Sequence, residues 1–281
     1  MRFINPKTDF AFKKIFGSDQ SHGILMSFLN GILYNGEPIV RDLEILDPYQ
    51  APKIVGIKAT YLDVRAHLKT GETIIIEMQV LNVAGFEKRV LYNAAKAYAI
   101  QLDSGQKYLT LNAVIAVTIT DFEMFPTFSG VISRFVLKER NELIDYPIGD
   151  LELVFVELPK FTRSLAEIET LSDQWLFFLK NAPDLSVIPR EMETIPEIQQ
   201  AFEIAQQSNL TREELEEIEK QGMYIQDQLG IVIKATEDGM TQGQKDAKIE
   251  ITQKLLDLLD NSTISATTGL SIVEIQALRS L

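Results

Sequence analysis

The stretch Ala59-Thr60-Tyr61-Leu62-Asp63-Val64-Arg65-Ala66-His67-Leu68-Lys69-Thr70-Gly71-Glu72-Thr73-Ile74-Ile75-Ile76-Glu77-Met78-Gln79-Val80 decides how this chain is read. Lys69-Thr70-Gly71 has the form of a three-residue hairpin loop, with glycine at the left-handed third position where a missing Cβ removes the steric cost. Leu68 then faces Glu72, and cross-strand partners have residue numbers adding to 140. That register sets Asp63 directly opposite Glu77, and Leu62, Val64 and Ala66 against Met78, Ile76 and Ile74 on the other, apolar face. The hydrophobic alternation of both runs agrees independently.

Two carboxylates facing each other inside a hairpin repel, at a cost in stability unless a cation lies between them or one is protonated. A hard divalent cation suits such a pair. Mg²⁺ takes one or two carboxylates together with waters and phosphate oxygens, so Asp63, Glu77 and the Met78 carbonyl are its candidate protein ligands. Gln79 projects from the Glu77 face and could orient a water or a phosphate oxygen, but as a neutral amide it lacks the charge of a lysine. The competing reading is a solvated hairpin face whose acids are tempered by Arg65 and His67.

Working outward, Asn5-Pro6-Lys7-Thr8-Asp9 supplies helix-start residues before a short amphipathic helix ending at Gly17, and a second helix is predicted over 21–33. Strands are expected at 39–46, 57–68, 73–81, 108–119, 131–138 and 151–158, with a helix over 85–102. The pattern predicts an α/β or α+β fold, a mixed sheet flanked by helices. After Pro159 the pattern turns helical at 164–179, 196–207 and 211–228, the last opening on the capping-box-like Thr211-Arg212-Glu213-Glu214. Trp175, Phe177 and Phe178 are expected to form that appendage's core. A Gly-containing break at 237–243 should precede a tail helix over 244–259, whose Leu255, Leu256, Leu258 and Leu259 form an apolar stripe suited to a partner or a docked arm. The implied division is a core over 1–160, a helical appendage over 161–234 and a tail over 235–281.

Composition narrows the chemistry. The chain has 281 residues, no cysteine and two histidines, His22 and His67. Thiolate metal sites, iron–sulfur clusters and a cysteine nucleophile are excluded, and multi-histidine metal sites nearly so. No apolar run approaches the roughly 18 residues of a membrane span and the N-terminal stretch lacks a signal-peptide core, so a soluble, cytoplasmic protein without membrane contact is expected. The formal charge of −13 opposes non-specific adhesion to nucleic acid, so any such partner needs a local basic path.

Over roughly residues 1–160 the chain resembles the PD-(D/E)XK nuclease superfamily, specifically its recombination-promoting nuclease or putative transposase branch. The resemblance is carried by Lys7-Thr8-Asp9-Phe10-Ala11-Phe12-Lys13-Lys14-Ile15-Phe16-Gly17, by Tyr61-Leu62-Asp63-Val64, by Ile76-Glu77-Met78-Gln79, and by Arg89, Tyr92, Gln101, Gly105 and Tyr108. It implies a restriction-endonuclease-like fold in which Asp63 and Glu77 bind the metal and Asp9 joins them from the first helix. The superfamily's usual lysine is replaced by Gln79, as this branch often shows. That departure leaves open whether Lys13, Lys14 or another base supplies the missing ammonium.

The implied activity is Mg²⁺-dependent, or other divalent-dependent, hydrolysis of DNA phosphodiester bonds. Asp63, Glu77, Gln79 and Asp9 would be catalytic, and Lys88, Arg89 and Lys96 are candidate phosphate contacts. The alternative is a catalytically weakened relative that acts as an interaction or scaffold protein through its C-terminal helices. Those helices could equally hold a homodimer or an inhibitory partner.

Overall fold

The computed structural model describes residues 2–50, 60–103 and 105–280. Helices α1 (Asp9–Phe16) and α2 (His22–Tyr34) precede strands β1 (Leu43–Leu46), β2 (Tyr49–Gln50), β3 (Thr60–Tyr61), β4 (Val64–Leu68) and β5 (Thr73–Gln79). Helix α3 (Phe86–Ala99), strands β6 (Val114–Thr120), β7 (Ile132–Phe135) and β8 (Leu151–Glu157), and helices α4 (Leu171–Asn181), α5 (Pro196–Ala205), α6 (Arg212–Leu255), α7 (Asn261–Thr268) and α8 (Ile272–Arg279) follow. Of the strand expected over 57–68, residues 57–59 lie outside the described residues.

The hairpin forms in the expected register. Val64 pairs with Ile76, Arg65 with Ile75, Ala66 with Ile74 and His67 with Thr73. The Leu68 N–H donates to the Glu72 carbonyl at 2.8 Å, and Gly71 has φ +115°, the left-handed conformation its loop position demands. Around the hairpin a six-stranded sheet has the order β1-β4-β5-β6-β8-β7. Strands β5, β6 and β8 run parallel and the outer pairings are antiparallel. β6 reads VIAVTIT and is buried throughout, as a central parallel strand covered on both faces must be.

Period-two alternation sends the two faces of this sheet into different layers. Val64, Ala66, Ile74, Ile76, Val117 and Val156 pack against α1, α2, α4 and α5 through Phe12, Phe16, Phe28, Trp175, Phe178 and Phe202. On the other face, Ile75, Val114 and Ala116 meet Ala94 and Ala97 of α3. This is the mixed, helix-flanked α/β fold expected.

The helices beyond residue 160 do not stand apart from the sheet. Trp175 lies 5.7 Å from Phe16 and 5.9 Å from Phe28 between ring centroids, and its indole N–H donates to Ser27 Oγ at 3.2 Å. Contacts divide the chain elsewhere, into compact units Met1–Ile225 and Gln226–Leu281. A boundary at 160 follows the change from strand to helix patterns, which reports secondary structure and not packing.

In the second unit, Leu255 and Leu256 pack with Ile264, Leu270, Ile275 and Leu278. Half of the expected partner stripe is therefore used internally, and Leu258 is exposed. The expected break at 237–243 is absent, because α6 continues through Gly239 and Gly243. Each glycine costs a helix only about 1 kcal/mol, which neighbouring Lys, Glu, Gln and Met can offset.

Candidate functional site

The hairpin register ends one pair before the expected facing of Asp63 and Glu77, and the reason lies in Asp63 itself. With Leu68 and Glu72 a hydrogen-bonded pair, the alternation of an antiparallel ladder would make Leu62 and Met78 another. Instead the Met78 N–H donates to Asp63 Oδ2 at 2.7 Å, and the Leu62 N–H donates to the Pro48 carbonyl at 3.1 Å. The carboxylate has replaced a ladder partner. Leu62 accordingly leaves the face it was assigned beside Val64 and packs with Ile75 and Ala94 under α3.

From this position Asp63 meets α1. The Lys13 ammonium stands 2.7 Å from Asp9 Oδ1 and 3.7 Å from Asp63 Oδ1. Lys14, the other candidate base, turns away and pairs with Glu214. Gly17 permits the approach of α1 to β4, because a Cβ there would stand 3.0 Å from the Lys13 carbonyl and 3.3 Å from Val64 Cγ2. Burial first, and the neighbouring Asp9 carboxyl second, push the Asp63 carboxyl up to about 7. The Met78 N–H and the Lys13 charge offset this only in part.

Glu77 faces α3 instead. Its Oε1 accepts from the Asn93 amide, and Oε2 lies 4.0 Å from Arg89 Nε. Burial raises its carboxyl against the opposing effects of Asn93 and Arg89. Asn93 is 3% exposed and its Oδ1 has no partner. Gln79 is engaged at both ends: its Nε2 donates to the Leu81 carbonyl at 2.6 Å and its Oε1 accepts from Arg89.

The structure thus brings Asp9, Asp63 and Lys13 together, and separately Glu77, Gln79, Arg89 and Asn93. Lys88 is exposed on α3, but Lys96 is only 6% exposed and burial lowers its pKa, which argues against a direct phosphate contact. Asn93 was not anticipated. It falls four residues after Arg89, one turn along the same face of α3, and that spacing was the available signal.

Among the described residues, no group of three or more Asp, Glu, His or Cys side chains stands ready to hold a metal. The donor chemistry still fits a hard cation, since two carboxyls converge on one ammonium, at 2.7 and 3.7 Å, and burial raises one of them. No helix among the described residues is long and apolar enough to cross a membrane.

No curated protein and no solved structure matches the chain. A family model described as PD-(D/E)XK nuclease family transposase matches residues 6–235, a span that contains the whole sheet and every group named above. On that match and its mixed, helix-flanked sheet, the chain belongs to the PD-(D/E)XK nuclease family transposases, and its function is nuclease-like or transposase-related.

Proposed function

We propose that the chain is a divalent-cation-dependent endonuclease that hydrolyses DNA phosphodiester bonds. The observation that carries this reading is that Asp63 accepts from the Met78 N–H, next to Glu77 on β5, while it shares the Lys13 ammonium with Asp9 of α1. Asp63 and Glu77 would hold the cation, Mg²⁺ being the expected one, with Asp9 assisting. A bound divalent cation supplies charge neutralisation and Lewis-acid polarisation of a phosphoryl oxygen. Asn93 and Arg89 orient the Glu77 carboxylate. Arg89 also fixes the Gln79 amide. The Lys13 ammonium, supplied from α1, offers the positive charge that a lysine at position 79 would otherwise bring. Lys88 and Arg89 contact the phosphate backbone, which positions DNA without reading sequence.

The test is nicking of supercoiled plasmid by the purified chain with Mg²⁺, with EDTA, and by Asp63→Ala and Glu77→Ala proteins. Cleavage that needs the metal and both carboxylates is expected. Cleavage that survives EDTA or either substitution would overturn the reading.

One observation favours a second reading, a non-cutting interaction protein: Lys13 already lies between Asp9 and Asp63 as a built-in counter-ion. That protein would melt at the same temperature with and without divalent ions. A metal-holding site predicts a rise in melting temperature that Asp63→Ala removes.

A further inference from the structure

A cleft of about 410 Å³ opens beside the acids, between the exit of β5 and the first turns of α6. It shares Asp9 and Gln79 with the candidate site. Its apolar lining comes from Met78, Val80 and Leu81 on the strand side and Tyr224 and Ile225 on the helix side. This volume falls in the range of pockets for small molecules or single chemical groups.

The helix wall is built into the fold. The Phe10 N–H of α1 donates to Gln221 Oε1 at 3.1 Å, and Gln221 Nε2 in turn donates to Glu217 Oε1 at 3.0 Å. Lys14 of α1 pairs with Glu214 of α6. Tyr224 is 62% exposed. Of the two lysines that also line the cleft, Lys7 is paired with Asp121 at 2.7 Å, whereas Lys220 has no ion-pair partner among the described residues.

We propose that this cleft receives one unpaired nucleobase of the DNA strand whose phosphate lies at the adjoining acids. Three properties of the cleft select that occupant. Glu217 lines it with no ion-pair partner among the described residues and repels a phosphate, so the neutral base is the part of a nucleotide that fits inside. Tyr224 offers a ring face, and stacking of a base on an aromatic side chain is tolerant of sequence. Lys220 stands where it can hold the backbone outside. A base within an intact duplex is stacked and paired and cannot enter, so the substrate class is single-stranded, flapped or locally unpaired DNA.

The inference rests on the nuclease reading for the identity of the strand as DNA, and its test separates the two. Full-length protein is titrated in EDTA with a short paired duplex carrying 2-aminopurine and with the same duplex in which that base is unpaired. Fluorescence of the probe and the dissociation constant are both followed. The unpaired probe is expected to bind roughly tenfold tighter, the scale of one base–aromatic stack. Its fluorescence should be quenched on binding. Tyr224→Ala should bring the ratio between probes close to one, and Tyr224→Phe, which keeps the ring, should retain it. Equal binding of both probes, binding of neither, or a preference that survives Tyr224→Ala overturns the inference. Plasmid nicking by the same preparations reports the hydrolytic reading independently. A lost preference with intact nicking removes the pocket alone, and a retained preference without nicking removes the nuclease alone.

Discussion

Glu157 at the end of β8 and the pair Asp63 and Glu77 around the end of β5 are acids of one sheet, separated by β6, and they have opposite electrostatic fates. Glu157 is 0% exposed, and burial by itself would push its carboxyl up. The Lys160 ammonium at 2.6 Å and the N–H groups of Met124 and Phe125 at 2.6 and 3.0 Å overcome that, and hold it below the ordinary carboxylate range. Asp63 and Glu77 are slightly less buried, with side chains 16% and 12% exposed, yet both are raised. The donors aimed at the carboxylates differ as well, an ammonium at 2.6 Å and two backbone N–H groups at Glu157 against one backbone N–H and an ammonium at 3.7 Å at Asp63, and an acid left short of donors is the one with capacity to bind something else.

The comparison breaks first on activity. Glu77→Gln and Asp63→Asn should each lower metal-dependent nicking by about 10³-fold, roughly 4 kcal/mol of barrier, in a plasmid assay at fixed Mg²⁺. Glu157→Gln should lower activity only as far as it unfolds the protein.

Stability should rank the same residues the other way. Glu157→Gln removes one partner of a buried ion pair and should cost about 3 kcal/mol at pH 7 by urea unfolding. The folded carboxyl of Glu157 lies below its ordinary 4.5, so its stabilisation is present above that value and lost as pH falls through the folded one. The gap between wild type and Glu157→Gln should therefore narrow in acid.

Asp63→Asn should change stability in the opposite sense. The folded carboxyl is raised from 3.8 to about 7, so the folded chain retains its proton longer than the unfolded chain does, and wild-type stability falls as pH rises between those values. Without divalent ions, the Asn variant should escape that fall and be more stable by about 1–2 kcal/mol at neutral pH. A loss of stability on Asp63→Asn would mean that the Met78 N–H and Lys13 already satisfy the acid, and the contrast with Glu157 would collapse. The smallest effect is expected at Lys88, whose replacement by alanine should weaken DNA binding a few-fold irrespective of sequence and reduce the salt slope of log Kd by about one.

The hairpin was legible because its determinants are local. A left-handed glycine at position 71 and a period of two in both strands set the register without help from the rest of the chain. The same locality made α1, α3 and the buried β6 readable, and it brought Asp63 and Glu77 to notice together. What it could not reveal was the end of the ladder, where a side chain took the place of a backbone carbonyl and turned Asp63 toward α1 and Leu62 toward α3.

The division at residue 160 failed to foresee that Trp175 and Phe202 would complete the core under α1 and α2, since hydrophobic residues in separate helices carry no label of their partners. Sequence alone determined the helices and strands around the hairpin, the mixed sheet, the absence of thiol chemistry and the pair of acids on one hairpin, all of which follow from spacing of a few residues and from composition. Tertiary structure alone decided that Lys13 and not Lys14 reaches the acids, that Asn93 orients Glu77, that Lys96 is buried, and that α6 walls a cleft beside Asp9. Each of these depends on contacts between residues far apart in the chain, whose closeness is fixed by packing of whole elements and leaves no periodic trace in the sequence.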